Sequence, residues 1–421
     1  MLLVAGAIGV GIVGDSMLYA VLPARFESFG IQLGMVGVIL SANRFIRLVT
    51  NTLAARVYAR FGLYWPFSLA MLGAVVPTAS YALVYGFWPL LAARVLWGLS
   101  FSFLRLGGYL TVLEEGSPEV RGRLMGLLNS GMRGGSLVGV FIGGLLADVL
   151  GHPMTFTLFA IAVGLAAVTM LVEGYGHRRQ VLPVPLFSLP EVVRTGAPQP
   201  TVKTFLWELL ISRIPEFSRA LRYRLLSVNV LRFGIAFSID GLVLSTLAYL
   251  LGQLFGEGPQ LGGVVLGVVT VTGSLLAIRY TSDLLLGPWF GHLSDRVGRW
   301  WVVFSALPLV AAALLVVGFA QQPLQLLLAL PVLFVASTAM SVTLDAFAGD
   351  LAPPERRAQV MGRYATWLDL GSATGPLLGY GVGILIGFSW MYLASALLLL
   401  LAAGLYLFSL LRQWLSPGTM A

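Results

Sequence analysis

The chain has 421 residues, of which 58% are hydrophobic and 10% charged, with a formal net charge of +8 and no cysteine. A soluble domain carries about 25% charged residues and cannot hide this much apolar surface, so the bilayer must be the solvent for most of the chain. Without cysteine there are no disulfides or thiolate metal sites, and His152, His177 and His292 are too scattered to form a ligand cluster, so neither metal nor cofactor is expected. The basic residues stand at the ends of apolar segments and not on one amphipathic face, which suits the positive-inside rule and not nucleic-acid binding.

Apolar runs of about 20 residues recur from end to end, each long enough to cross a hydrocarbon core of ~30 Å as a helix. The short alternating strands of a porin-type barrel are missing. The pattern predicts an all-α membrane protein with twelve transmembrane helices, at 4–24, 33–55, 64–85, 88–110, 124–147, 153–173, 227–252, 260–288, 300–319, 323–347, 360–387 and 389–412. Met1 to Val13 is apolar with no basic region before it, which reads as a retained first helix. Arg56 and Arg60 follow the second span, Arg121 and Arg123 the fourth, Arg178 and Arg179 the sixth, Arg296 and Arg299 the eighth, Arg356 and Arg357 the tenth. The opposite loops carry little positive charge beyond Arg25, which places both termini in the cytoplasm and the chain in the inner (plasma) membrane.

Between spans six and seven lies a polar connection with Pro183, Pro185, Pro190, Pro198 and Pro200, then Arg213, Arg219, Arg222 and Arg224. It divides the chain into a six-helix half at 1–175, a cytoplasmic linker at 176–225 and a second half at 226–421. Within the linker, Phe205, Leu209, Leu210, Ile214 and Phe217 fall at helical intervals, as in an amphipathic helix at the membrane surface. The halves repeat: Gly62 matches Gly298, Pro118-Glu119 matches Pro354-Glu355 and Met125-Gly126 matches Met361-Gly362, at one offset of 236 residues.

After the eighth span comes Gly291-His292-Leu293-Ser294-Asp295-Arg296-Val297-Gly298-Arg299, which resembles the G-x-L-x-D-R-x-G-R signature of the major facilitator superfamily. Arg94-Val95-Leu96-Trp97-Gly98 is similar to that family's R-x-x-x-G element. Gly126, Gly135, Gly139, Gly143 and Gly144 have the spacing of its antiporter element, with Val140 in place of proline, and Gly362, Gly371, Gly375, Pro376 and Gly379 repeat it. The resemblance covers nearly all of the chain outside the linker. It implies alternating access between two halves, a conformational latch at Gly291, Asp295, Arg296, Gly298 and Arg299, and proton transfer through Arg94. In the first half Ala59 stands where the signature has Asp, which leaves the second copy to carry more of the latch. Glycines at these intervals also let helices pack closely, which is the plain packing account, and the resemblance tilts the reading towards export because that element is associated with antiporters.

Ionisable groups inside spans are costly unless paired or wetted. Asp15 and Asp240 hold matching places on the first helix of each half, and a low-dielectric pocket penalises a charged carboxylate, so each is a candidate to load and release a proton. Arg44, Arg47, Arg94, Arg105 and Arg133 lie in first-half spans. Arg47 and Arg105, nearer the cytoplasmic ends, are explained by snorkelling, whereas Arg44 and Arg133 are candidates for an anionic or zwitterionic substrate. The second half has Arg232, Arg279 and Arg363 against Asp240, Asp283, Asp345 and Asp369, with Arg279 and Asp283 placed to satisfy each other at i,i+4. Arg133 falls on Asp369 in the repeat register, so these two are expected to pair across the halves or to bind substrate. Trp97, Phe101, Tyr364 and Trp367 are candidates to line an amphiphile pocket, against ordinary packing.

The expected function is proton-coupled export of small amphiphilic compounds by a monomer that meets only substrate, protons and lipid. Proton-coupled uptake of an organic anion is the main alternative, and a non-transporting receptor or scaffold on the same fold is a third. No span offers an H-E-x-x-H element or a credible Ser-His-Asp set, so an embedded enzyme is not expected.

Overall fold

The computed structural model describes residues 1–115, 117, 120–176, 219–256, 260–261, 264–353 and 356–414. The expected linker and its amphipathic helix lie largely outside these residues. Among these residues, twelve helices cross the molecule. The first six are α1 (Leu2–Ala24), α2 (Leu33–Phe61), α3 (Tyr64–Leu83), α4 (Phe87–Glu115), α5 (Arg121–Val149) and α6 (His152–Gly176). The seventh, α7, runs as Arg219–Ile235, a widened π segment Ala236–Val243, and Leu244–Phe255. The eighth, α8, is likewise divided into Val268–Thr281, a π segment Ser282–Leu286, and Gly287–Val297. Then come α9 (Arg299–Gly318), α10 (Pro323–Leu351), α11 (Arg357–Ile386) and α12 (Phe388–Trp414).

Among the described residues, ten helical stretches are long and apolar enough to cross a membrane. The other two crossings are α8, interrupted by its π segment around Asp283, and α11, where Asp369 lies among glycines. The fold class is therefore the all-α membrane architecture read from the sequence, with two corrections at span eight. It does not begin at residue 260: Gln260–Leu261 and Val264–Val265 form a short antiparallel β pair, and the helix starts at Val268. It also runs nine residues further than expected, to Val297, so Asp295 stands on a helix and not in a loop. Gly298 ends this helix at φ 102 and Gly62 ends α2 at φ 74, a backbone region that favours glycine. The two stops are register mates, which is why glycine recurs there.

Within each half the glycine-rich fifth helix packs on the first. Gly135 and Gly139 of α5 lie against the backbone of α1 at Gly9 and Val13, and Gly371 and Gly375 of α11 lie against α7 at Phe233 and Gly241. Close backbone approach through small residues is how membrane helices gain packing where lipid supplies no hydrophobic driving force.

The halves meet along α2·α11, α5·α8 and α1·α7. An even number of crossings brings the start of α1 and the end of α12 to one side, here the terminal side. The contacts between halves lie away from it. Gly37 of α2 packs against Pro376 and Tyr380 of α11, and Gly273 of α8 packs against Val140 and Gly144 of α5, its register equivalents. On the terminal side, Arg219–Ile235 of α7 and Gly287–Val297 of α8 pack on helices of their own half. Gly126 on α5 and its mate Gly362 on α11 both face open space. The molecule is zipped shut on the far side and parted on the terminal side.

Candidate functional site

Ion pairs lie at mid-depth, where the zipped part gives way to the cleft. Asp15 of α1 pairs with Arg94 of α4, which is fully buried and also donates from Nε to the Ile39 carbonyl at 3.3 Å. The Tyr81 and Tyr19 hydroxyls stand 3.5 Å from its terminal nitrogens, and Asn43 donates to Asp15 Oδ1 at 3.4 Å. In the second half the π segment of α7 presents Asp240, which accepts from Arg279 Nη2 at 2.8 Å. Arg279 Nη1 lies 3.4 Å from Asp283, so the expected i,i+4 pair exists but is the longer of its two. π segments are frequent at functional sites, and here each carries one of these carboxylates.

Two further pairs join the halves. Arg47 Nη2 lies 2.8 Å from Asp369 Oδ1 and Arg105 Nη2 lies 3.4 Å from Oδ2, with Asp369 almost fully buried. Snorkelling is therefore the wrong account of both arginines: they reach across to a buried carboxylate. The expected partnership of Arg133 with Asp369 is also corrected, because Arg133 Nη1 is 3.1 Å from Asp283, whose Oδ1 accepts from Thr338 at 2.7 Å. The 236-residue register explains the exchange. It carries Arg133 onto Asp369 and Arg47 onto Asp283, so the α2·α11 and α5·α8 pairs are images of each other with polarity reversed. Arg44 also crosses between halves, donating from Nη1 to the backbone carbonyls of Asp240 at 2.8 Å and Ser372 at 3.0 Å.

The four candidate aromatics fall into two groups. Trp97 is buried and stacks on Phe101 at 5.7 Å, and Phe101 lies beneath the guanidinium groups of Arg47 and Arg105. Tyr364 is buried, with its hydroxyl donating to Asp345 at 2.5 Å, and Trp367 meets Phe233 edge-on at 6.0 Å. A single pocket lined by all four is not what the structure has. Only Phe101 and Trp367 keep partial exposure.

Arg299, at the start of α9, is the centre of the expected latch. It lies 2.5 Å from Asp295 and 3.0 Å from Asp350 at the end of α10, and donates to Ser294 Oγ at 2.6 Å. Gly291 packs beside Val342 of α10, and Arg296 is exposed. These contacts tie the terminal ends of α8, α9 and α10 together within the second half.

Sequence reasoning gave no site role to Asp283, Arg279, Asp345 or Asp148. Extending the repeat register from Arg133 to Arg47 would have drawn out Asp283. Asp148, at the far end of α5, lies 2.5 Å from Arg25 and accepts from the Thr270 backbone N–H and hydroxyl, both at 2.7 Å, so it bolts α5 to the start of α8. A depression of about 430 Å³ lined by Ile386, Trp390, Leu393, Ala394 and Leu397 is almost wholly apolar and lies away from these charges.

The profile of the Major Facilitator Superfamily matches residues 4–283 and 266–419. The multidrug resistance protein MdtG of Dickeya zeae (strain Ech586) is 24% identical over 382 residues, 90% of this chain and 85% of that one. MdtG of Enterobacter lignolyticus (strain SCF1) is 23% identical over 394 residues, 92% and 86% of the two chains. Among solved structures, a bacterial homologue of the human lysosomal transporter Spinster, inward-facing and unoccupied, superposes with a TM-score of 0.72 at 14% identity, covering 97% of this chain and 95% of that one. The human organic anion transporter MFSD10 does so with a TM-score of 0.66 at 20% identity, over 96% and 98%. These likenesses show a shared fold. By its sequence profile, its twelve helices and the architecture of its two halves, the chain belongs to the major facilitator superfamily of membrane transporters.

Proposed function

We propose that the protein is a proton-coupled exporter of small amphiphilic compounds, working as a monomer by alternating access in a cell's inner membrane. The terminal side is the cytoplasmic one, because Arg56, Arg60, Arg121, Arg123, Arg296 and Arg299 gather there. The open cleft then faces the cytoplasm, as suits loading of an export substrate, and the halves at 1–175 and 226–421 rock about the mid-depth pairs. The observation that carries the reading is the Asp15–Arg94 pair, together with its counterpart Asp240–Arg279. A proton and a guanidinium compete for one carboxylate, so proton loading at Asp15 frees Arg94 and changes what holds α1 to α4. Arg94 thereby serves the proton, as the family resemblance implies.

Substrate lies against the cleft wall formed by Arg133, Phe101 and Trp367, with Arg44, Trp97, Tyr364 and Asp369 behind them as supports. Arg299 and Asp295 set the rate of switching. The 23–24% identity to MdtG proteins named for multidrug resistance supports export of drug-like compounds. Uptake of an organic anion remains the second reading, since the Arg133 side chain is 44% exposed. Purified protein in liposomes, with an imposed pH gradient and a panel of cationic, neutral and anionic amphiphiles, separates the two. Export predicts substrate moving against the proton flux. Co-directional movement of an anion selects uptake, and flux indifferent to the gradient overturns proton coupling.

A further inference from the structure

The seam between α5 and the start of α8 carries a polar cluster that the mid-depth pairs do not explain. Gly267 is the N-cap of α8: it is extended, at φ −62 and ψ 150, and its carbonyl accepts the first bond of the helix from the Val271 N–H at 3.1 Å. An N-cap side chain ordinarily accepts from the backbone N–H two or three residues on, and glycine has no side chain to offer. The N–H three residues on belongs to Thr270, and it donates to Asp148 Oδ2 at 2.7 Å, as does the Thr270 hydroxyl. Asp148 stands at the end of α5, in the other half. Its negative charge also suits the positive end of a helix dipole.

The fit is steric as well as polar. A Cβ on Gly267 would overlap the Asp148 carboxylate, so the carboxylate fills the place where the helix's own capping side chain would be. The backbone angles at Gly267 are open to any residue, so what requires glycine is the room it leaves. Asp148 Oδ1 meanwhile pairs with Arg25 at 2.5 Å, and the Asp148 side chain is only 11% exposed. Arg25 and Asp148 belong to one half and travel together when the halves part, whereas the bonds to Thr270 must break. The mirrored seam is built from other groups. At the offset of 236 residues Asp148 falls on Ile384, Thr270 on Gly34 and Arg25 on Leu261, and Ile384 Cδ1 lies 3.7 Å from where a Gly34 Cβ would be. Related glycine packing closes both seams, and a polar fastening is added to one.

We propose that Asp148 caps α8 from across the interface and thereby locks the far side, so that opening on that side must uncap α8. A cap within the helix would stabilise α8 in every conformer. A borrowed cap stabilises it only where α5 and α8 meet, so the loss of its charge-assisted hydrogen bonds falls on the far-open conformer alone. The inference rests on alternating access between the halves and not on proton coupling, export or the class of substrate.

The test separates a cap from a lock. Val140→Cys places a thiol at a fully buried position on the same seam, and its maleimide labelling rate in detergent reports opening. In that background Asp148→Ala removes the acceptor, and Gly267→Ser displaces it by filling its seat while keeping every charge. Each should speed labelling about tenfold, as the loss of one charge-assisted hydrogen bond would. The double variant has a serine cap within α8 and no tie to α5. It should regain part of the melting temperature lost in Asp148→Ala, yet label as fast as Asp148→Ala does. A double variant that melts no higher than Asp148→Ala would refute the cap. Labelling back at the wild-type rate in the double variant would mean that fraying of α8, and not parting of the halves, exposed the thiol, and would refute the lock. Wild-type labelling in both single variants would overturn the proposal as well. Gly267→Ser retains Asp148 and Arg25, so the test stands if Asp148→Ala does not fold. Gly273→Val, which wedges the same seam, tests whether the halves rock at all. Fast labelling there with slow labelling in the two lock variants sinks the lock alone, and slow labelling in all three sinks the rocking with it.

Discussion

Asp369 offers a direct way to ask whether the ion pairs between halves hold this conformer in place. Its carboxylate is 2% exposed and serves Arg47 at 2.8 Å and Arg105 at 3.4 Å, both from the opposite half. Asp369→Asn keeps the shape and removes the charge, leaving two guanidinium groups without their anion at mid-depth in the interface. Removing one partner of a buried pair costs about 3–5 kcal/mol. If the pairs exist only with the terminal side open, that cost falls on this conformer alone. Taking the lower figure of about 3 kcal/mol, at tenfold per 1.4 kcal/mol, the ratio of conformers shifts on the order of a hundredfold. The chain has no cysteine, so a single introduced thiol reports without background. Ser130→Cys lies on the exposed face of α5, and Val140→Cys replaces a fully buried residue at the seam with Gly273. Introducing Asp369→Asn should slow maleimide labelling in detergent at the first position and speed it at the second. Unchanged rates at both, with a lowered melting temperature, would mean that the pair persists in every conformer and is a staple with no part in switching.

Other consequences can be checked in the same preparation. Gly273→Val would drive a side chain into the Val140 carbonyl, so it should open the far seam and speed labelling of a thiol at Val140; no change would mean that the seam does not set the conformer. Arg299→Ala removes the contacts to both Asp295 and Asp350 and should slow transport severalfold while substrate affinity changes less than twofold; a tenfold loss of affinity at normal exchange rates would contradict the latch.

Helix number and the repeat were legible because period and length are local properties of the sequence. The 236-residue register proved informative beyond its first use, since it governs Gly37 with Gly273 and Arg47 with Asp283 as well as the motifs that revealed it. Charge partners were harder to read. Arg47 looked like a snorkelling residue because sequence gives its depth along α2 but not the direction it faces. That direction is set by how α2 leans on α11. Pairing Arg133 with Asp369 assumed that symmetric residues meet, whereas a twofold relation carries each residue onto its mate and brings it against a different helix. The grouping of the aromatic candidates was not legible either, because burial of Trp97 and Tyr364 is decided by neighbouring helices and not by their own.

The central claim, that a mid-depth carboxylate couples protons to substrate movement, is tested most directly at Asp15. Proteoliposomes holding wild type or Asp15→Asn would be assayed for substrate flux under an imposed pH gradient, and for substrate–substrate exchange without one. Asn cannot be protonated or deprotonated in turn and cannot pair with Arg94 as an anion. The account predicts that gradient-driven flux is abolished while exchange continues. Full gradient-driven flux in Asp15→Asn would contradict it.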